Sequence, residues 1–137
     1  EEVMGMFEAK GINLEQIVAE EPLLAGTNDG RGFAVSGGVA KAVKNVIEKE
    51  HPEMQVKVQA AEGLKNCKTM LMMAKAGRLN GYLLEGMACP GGCVAGAGTL
   101  QPIPKSSAAV KRYATENEKK TSDESAYADR LHELSEG

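Results

Sequence analysis

Residues 82–98 read YLLEGMACPGGCVAGAG, a short apolar run followed by two cysteines in a glycine-rich loop. The apolar run predicts a buried strand whose carboxyl end leads to Cys89 and Cys93. Thiolates are the usual ligands of soft metals and iron–sulfur clusters, and glycines let backbone N–H groups approach a bulky inorganic group closely. The spacing is C-x-x-x-C, which differs from the C-x-x-C of thioredoxin-type redox pairs. The residues alone favour a cluster site but leave open a simple turn that contains two small side chains.

The composition is that of a globular protein and argues against two classes of function. The chain has 137 residues, 42% of them hydrophobic and 26% charged, which is enough for one domain or for one lobe of a larger domain. A net charge of -3 and an aromatic content of 4%, without Trp, argue against nucleic-acid binding. No apolar run approaches the roughly 20 residues of a membrane span. Three cysteines do not suit a disulfide framework, so we expect a reducing, cytoplasmic location.

The order of helix and strand patterns predicts an α/β fold. Apolar residues at helical spacing predict helices over residues 3–10, 36–50 and 64–76. Cap signals predict a short helix over residues 13–18, residues 106–118 are predicted as a polar helix, and a last helix begins at Ser122 or Asp123. Strands are predicted over residues 54–60 and 80–86. Asn13 and Ser36 are the predicted N-caps. This order indicates parallel strands flanked by helices, with a helical C-terminal tail and a ligand site at the carboxyl ends of the strands.

The helix predicted over residues 64–76 contains the third cysteine and three methionines. Helical spacing predicts that Met70, Met72 and Met73 fill the core rather than bind copper or haem. Cys67 is interpreted as a small buried residue, with ligation of a cluster as the alternative.

A second glycine-rich stretch, residues 26–38, opens the helix predicted from Ser36. Its sequence GTNDGRGFAVSGG matches neither G-x-G-x-x-G after a strand nor the phosphate loop that ends in Gly-Lys-Ser/Thr. Binding of a phosphate at the helix N-terminus stays an alternative, since free N–H groups there attract anions.

Both glycine-rich stretches resemble segments of iron-only hydrogenases. Residues 85–98 are similar to the last of that family's three signature motifs, E-V-M-A-C-P-x-G-C-x-x-G-G-G-Q-P, and the core MACPGGC matches without a gap. Residues 33–39, FAVSGGV, resemble the segment F-G-A-T-G-G-V, which lines the family's active-site cluster. After Gly96 the chain departs from the motif, because Ala97 replaces a glycine and Thr99-Leu100 is in excess.

The resemblance implies a cofactor and a set of site residues. The family's H-cluster is a [4Fe-4S] cubane bridged to a diiron centre, which interconverts protons, electrons and hydrogen with ferredoxin or a similar carrier as electron partner. By motif position Cys89 ligates the cubane and Cys93 is the bridge to the diiron centre. Cys93 and Met87 are the expected catalytic residues, with Met87 packed beside the diiron unit as an apolar shield. Phe33 and Ala34 are expected to contact the diatomic ligands of the diiron unit. The glycine N–H groups of the loop are expected to be free to point at sulfur.

The resemblance covers only the last part of a hydrogenase domain. The family's other two cubane ligands lie in the motifs T-S-C-C-P and M-P-C-x-x-K, and neither occurs here. The chain begins EEVM, which is neither a signal peptide nor a natural start. Residues 1–137 are therefore expected to be the C-terminal lobe of a catalytic domain, inactive and without an intact cluster unless the N-terminal lobe is present. A hydrogen sensor, an iron–sulfur assembly factor and a lobe without a metal are the alternatives.

Overall fold

The computed structural model describes residues 2–18 and 26–130, and its central element is a parallel two-stranded sheet. Strands β1 (Lys57–Glu62) and β2 (Tyr82–Met87) pair residue by residue over their whole length. The α-helices of the described residues are α1 (Glu2–Ala9), α2 (Asn28–Arg31), α3 (Gly38–Glu50), α4 (Leu64–Lys75) and α5 (Ile103–Thr115). Both α3 and α4 contact the two strands. The predicted α/β class, with parallel strands flanked by helices, is confirmed.

Glycines at both ends of α4 make the crossover between the strands possible. Gly63 has φ 77° and Gly77 has φ 75°, a region that residues with a Cβ rarely adopt. The N–H of Gly63 donates to the carbonyl of Met87 at 2.8 Å, so the start of the crossover is tied to the end of β2. The carboxyl ends of β1 and β2 consequently lie at one edge of the sheet, directly before the cysteine loop.

The N-terminus of α3 is capped by a carboxylate from β2 instead of the predicted Ser36. The cap residue is Gly37, with φ 85°, and no side chain of its own serves the helix. Glu85 supplies the acceptors: its carboxylate receives the N–H of Gly37 at 2.6 Å and that of Ala40 at 3.0 Å. Glu85 is only 7% exposed. This contact fixes the start of α3 against the strand that leads to the cysteines.

We expect Glu85→Ala to lower the free energy of unfolding more than an ordinary surface substitution does. The substitution leaves two N–H groups at a helix end without their acceptor, and the loss of hydrogen bonds to a charged group costs about 2–3 kcal/mol. The free energy of unfolding is measured by urea denaturation followed by circular dichroism, since the chain has no Trp. Glu53→Ala is the control, because Glu53 is exposed and its side chain is 71% accessible beside His51. Equal losses for the two variants would contradict the role of Glu85.

The core is built mainly from small side chains. The buried apolar residues of the described part are Ala40, Ala42, Met70, Leu79, Val94 and Ala114. Met70 is buried as predicted, but Met72 and Met73 are 55% and 39% exposed, so the prediction that they fill the core is wrong. The three methionines do lie on a helix, as predicted, but α4 has too little structure packed against it to bury all of them. Cys67 is half-buried, and its single S–H lies within hydrogen-bond distance of two carbonyls, those of Ala61 at 3.5 Å and Met87 at 3.6 Å.

Element boundaries differ from the predicted ones where pairing or proline decides them. Strand β1 ends two residues later than predicted, because it pairs with β2 as far as Met87. Helix α5 begins three residues earlier, with Pro104 in its first turn, where a missing N–H is tolerated. The predicted helix after Asn13 is a single 3₁₀ turn (Leu14–Gln16), although Asn13 does cap it, accepting the N–H of Glu15 at 3.0 Å.

The C-terminal segment is fastened to the earlier part of the chain. The buried side chain of Asn117 donates to the carbonyl of Gly26. Lys49 at the end of α3 forms an ion pair with Asp123 at 2.6 Å; this hydrogen bond raises the pKa of Lys49 and lowers the pKa of Asp123. Over residues 122–130 the predicted last α-helix is replaced by a 3₁₀ turn (Ser122–Glu124) and further turns, and its remainder, residues 131–137, lies outside the described residues. No helix within residues 2–18 and 26–130 has the length and apolar character to cross a membrane.

Candidate functional site

The cysteine loop begins where β2 ends and turns twice within a few residues. Gly91 and Gly92 have φ 94° and 88°, and the N–H of Gly92 donates to the carbonyl of Cys89 at 3.0 Å. A 3₁₀ turn (Cys93–Ala95) follows. Cys89 is half-buried and Cys93 is exposed, and both are free thiols. The turns therefore hold two soft donors at the carboxyl edge of the sheet, as the sequence predicts.

The loop lies directly against the backbone of the second glycine-rich stretch. The N–H of Ser36 donates to the carbonyl of Gly91 at 3.2 Å. A Cβ placed on Gly92 would lie 2.6 Å from the Ser36 nitrogen and 2.8 Å from the Ala34 carbonyl oxygen, closer than side-chain carbons are found. Glycine at position 92 is thus required by the close approach of the two segments as well as by its φ.

The predicted site residues are only partly brought together. Ala34 is in contact with the cysteine loop through its backbone. Met87 is half-buried at the end of β2 and lines a groove of about 370 Å³ between β2 and α3. Phe33 is 41% exposed and lines a separate cavity of about 290 Å³ with residues of α3 and Ser122. Ala34 thus contacts the cysteine loop, and Met87 lies at the end of the strand that leads into this loop. The Phe33 ring instead lines a cavity formed with α3.

Neither glycine N–H between the cysteines is free, which corrects the expectation from the motif. The N–H of Gly91 donates to the Glu62 carboxylate at 3.1 Å, and the N–H of Gly92 donates to the backbone carbonyl of Cys89. Glu62 was not identified from the sequence. Its position at the end of β1, opposite Met87, places Glu62 near the cysteine loop. This position can be recognised only when the register of the two strands is known.

Helix α5 supports the loop from its other side. A Cβ on Gly91 would lie 3.1 Å from Cγ2 of Ile103, the first residue of α5. The loop is therefore enclosed between the Ala34–Ser36 backbone and Ile103, although Ile103 itself is 43% exposed. Residues after the signature motif contribute to the shape of the loop, which the motif comparison alone did not indicate.

The donors present fit part of the ligand set of an iron–sulfur cubane. Cys89 and Cys93 are two thiols on one loop, and the wall next to the Cys89 sulfur is Gly96, where an added Cβ would lie 3.9 Å from Sγ. Three or more His, Cys, Asp or Glu side chains grouped to hold a metal ion are not found among the described residues. The loop thus supplies the right donor chemistry and half of the four ligands that a cubane takes.

Comparison with known proteins agrees with this donor chemistry. Residues 1–97 match the family described as the iron-only hydrogenase large subunit, C-terminal domain. A relative from Culex quinquefasciatus, named as a probable cytosolic Fe-S cluster assembly factor, is 28% identical over 60 residues. That alignment spans 44% of this chain and only 13% of the relative. Because the family match extends over most of the chain and includes both cysteines of the loop, this chain belongs to the iron-only hydrogenase large-subunit family, in its C-terminal domain.

Proposed function

We propose that the chain is part of an iron-only hydrogenase that interconverts protons, electrons and hydrogen and exchanges electrons with ferredoxin or a similar carrier. The observation that carries the proposal is the contact of the cysteine loop with the Ala34–Ser36 backbone. Two segments that resemble separate parts of the family's cluster site, residues 33–39 and 85–98, meet at the carboxyl edge of the sheet. This meeting supports the proposal, because it places both resembling segments beside the two cysteines.

In this proposal the chain holds one side of the H-cluster. Cys89 and Cys93 would hold the group, Cys89 as a ligand of the cubane and Cys93 as the thiolate shared with the diiron centre. When bound, the group supplies the heterolytic cleavage and formation of hydrogen. The chain would position the two sulfurs by the turns at Gly91 and Gly92 and present the Ala34 backbone, without a bulky side chain, to the site. Met87, which lines the groove at the end of β2, would serve as the apolar shield.

The missing ligands imply a second part of the catalytic domain. Two cysteines at matching positions supply half of a cubane's four ligands, so residues 1–137 are proposed as the C-terminal lobe and the other two thiolates come from an N-terminal lobe. Exposed apolar side chains on α1 support a covered surface there; they include Val3, Met4 and Met6. The lobe alone is expected to be inactive. Free cysteines suit a reducing compartment, so we place the parent protein in the cytoplasm.

An iron–sulfur assembly factor is the second candidate. The similarity to the Culex protein favours it, because that protein's name assigns it such a role. In this case the loop would hold a cubane through Cys89 and Cys93, and no diiron centre would be present. The two candidates therefore differ in the cofactor and not in the cysteines.

The test is made on the full-length parent protein, reconstituted anaerobically with the complete cluster. We expect infrared bands of bound carbon monoxide and cyanide together with hydrogen evolution from reduced methyl viologen. The control is the same protein reconstituted with iron and sulfide alone, which should show iron–sulfur absorption without bands or hydrogen. A protein that takes up only a cubane under both conditions would exclude the hydrogenase and favour the assembly factor. Bands without turnover would contradict the catalytic proposal.

A further inference from the structure

Among the residues that the structure describes, Glu62 places an exposed carboxylate against the cysteine loop. Glu62 is the last residue of β1, and its Oε2 accepts the N–H of Gly91 at 3.1 Å. Its backbone is held in place, since the side chain of Asn66 donates to the Glu62 carbonyl at 2.8 Å. The carboxylate is thus presented to the loop by a strand end whose position is fixed by the sheet.

Both backbone polar groups of Gly91 are hydrogen-bonded. Its carbonyl accepts the N–H of Ser36 at 3.2 Å, while its N–H is taken by Glu62. Gly91 lies between Cys89 and Cys93, so the orientation of its N–H decides whether the loop offers a hydrogen bond to sulfur. Residues 86–104 contain no charged side chain, which leaves Glu62 as a charge brought to the loop from another strand.

Hydrogen bonds to sulfur and local charge are two of the factors that set the reduction potential of an iron–sulfur cluster. An N–H that is bonded to a carboxylate does not stabilise the extra electron of the reduced cluster. A negative charge beside the ligands disfavours that electron further. Both effects of Glu62 have the same sign, toward a lower potential.

We propose that Glu62 is a positioning residue that keeps the potential of the bound cubane low, through its hydrogen bond with Gly91 and through its charge. This inference rests on the proposed binding of a cubane at Cys89 and Cys93. It does not depend on which of the two candidate functions is correct, because both contain the cubane.

The experiment is a redox titration of the cubane-only form of the full-length parent, followed by electron paramagnetic resonance. Glu62→Gln removes the charge and retains an oxygen that accepts the Gly91 N–H. We expect a positive shift that changes the ratio of reduced to oxidised cluster about tenfold at a fixed potential, 59 mV for one electron. Glu62→Ala also releases the N–H and should shift the potential at least as far. Glu53→Gln, the same change in charge at an exposed site before β1, should leave the potential unaltered.

The outcomes separate this inference from the proposed function. A Glu62→Gln potential equal to that of the wild type, with normal cluster content, overturns the inference and leaves the cubane site intact. A shift of similar size in Glu53→Gln overturns it as well, because the effect would then follow net charge and not the contact with Gly91. Loss of the cluster in Glu62→Gln overturns it in favour of a role in assembly. A wild-type protein that takes up no cluster refutes both the function and the inference.

Discussion

Cys93→Ala in the full-length parent is expected to abolish hydrogen evolution and the infrared bands of the diiron centre. In the proposed site Cys93 would be the thiolate shared by the cubane and the diiron centre, and alanine has no donor atom. Changes in residues that only support a metal ligand cost about 10–100-fold in affinity or activity, so removal of the ligand itself should cost more than about 100-fold. Hydrogen evolution and infrared spectra of the reconstituted variant measure both effects.

Cys67→Ala is the matched control for this experiment, because it also removes one thiol from the same chain. The single S–H of Cys67 lies within hydrogen-bond distance of the Ala61 and Met87 carbonyls, which accounts for this thiol without a metal. We expect this variant to keep its cluster and its activity. Retention of the diiron bands in Cys93→Ala, or their loss in Cys67→Ala, would contradict the assignment of ligands.

The features that follow from local chemistry could be predicted from the sequence. Gly63 and Gly77 mark the two ends of α4, because a turn restricts the residues within it. The apolar run before Cys89 marks β2, but the strand is mostly half-buried or exposed and not buried as predicted. The resemblance to the signature motif located both cysteines. The parallel pairing of β1 and β2 followed from the order of the elements, since parallel strands need a crossover such as α4.

The features that depend on distant contacts could not be predicted. The cap of α3 comes from Glu85, which follows Gly37 by 48 residues, so Ser36 was the better local candidate and was wrong. The contact between Glu62 and Gly91 follows from the register of two strands, which local patterns do not specify. In the same way the exposure of Met72 depends on what packs against α4, and helical spacing alone carries no information about this.

Gly92→Ala is expected to be among the most destabilising single substitutions in the chain. The new Cβ would lie 2.6 Å from the Ser36 nitrogen and 2.8 Å from the Ala34 oxygen, both of which are backbone atoms that cannot rotate away. The φ of 88° with ψ -160° adds the strain of a backbone region that essentially only glycine adopts, about 1–3 kcal/mol. With the overlap included, we expect the free energy of unfolding to fall by about 4 kcal/mol or more, which few single substitutions cause. Urea denaturation of the chain, followed by circular dichroism, measures this loss.

Gly81→Ala separates the overlap from the backbone strain. Gly81 also has a positive φ, 77°, but no atom lies within 4 Å of an added Cβ. This control should therefore lose only about 1–2 kcal/mol. The difference between the variants measures how firmly the cysteine loop is pressed against the Ala34–Ser36 backbone, the contact on which the proposed function depends. Equal losses would mean that the two segments separate at little cost, and the glycine-rich stretch would then no longer count as a wall of the cluster site.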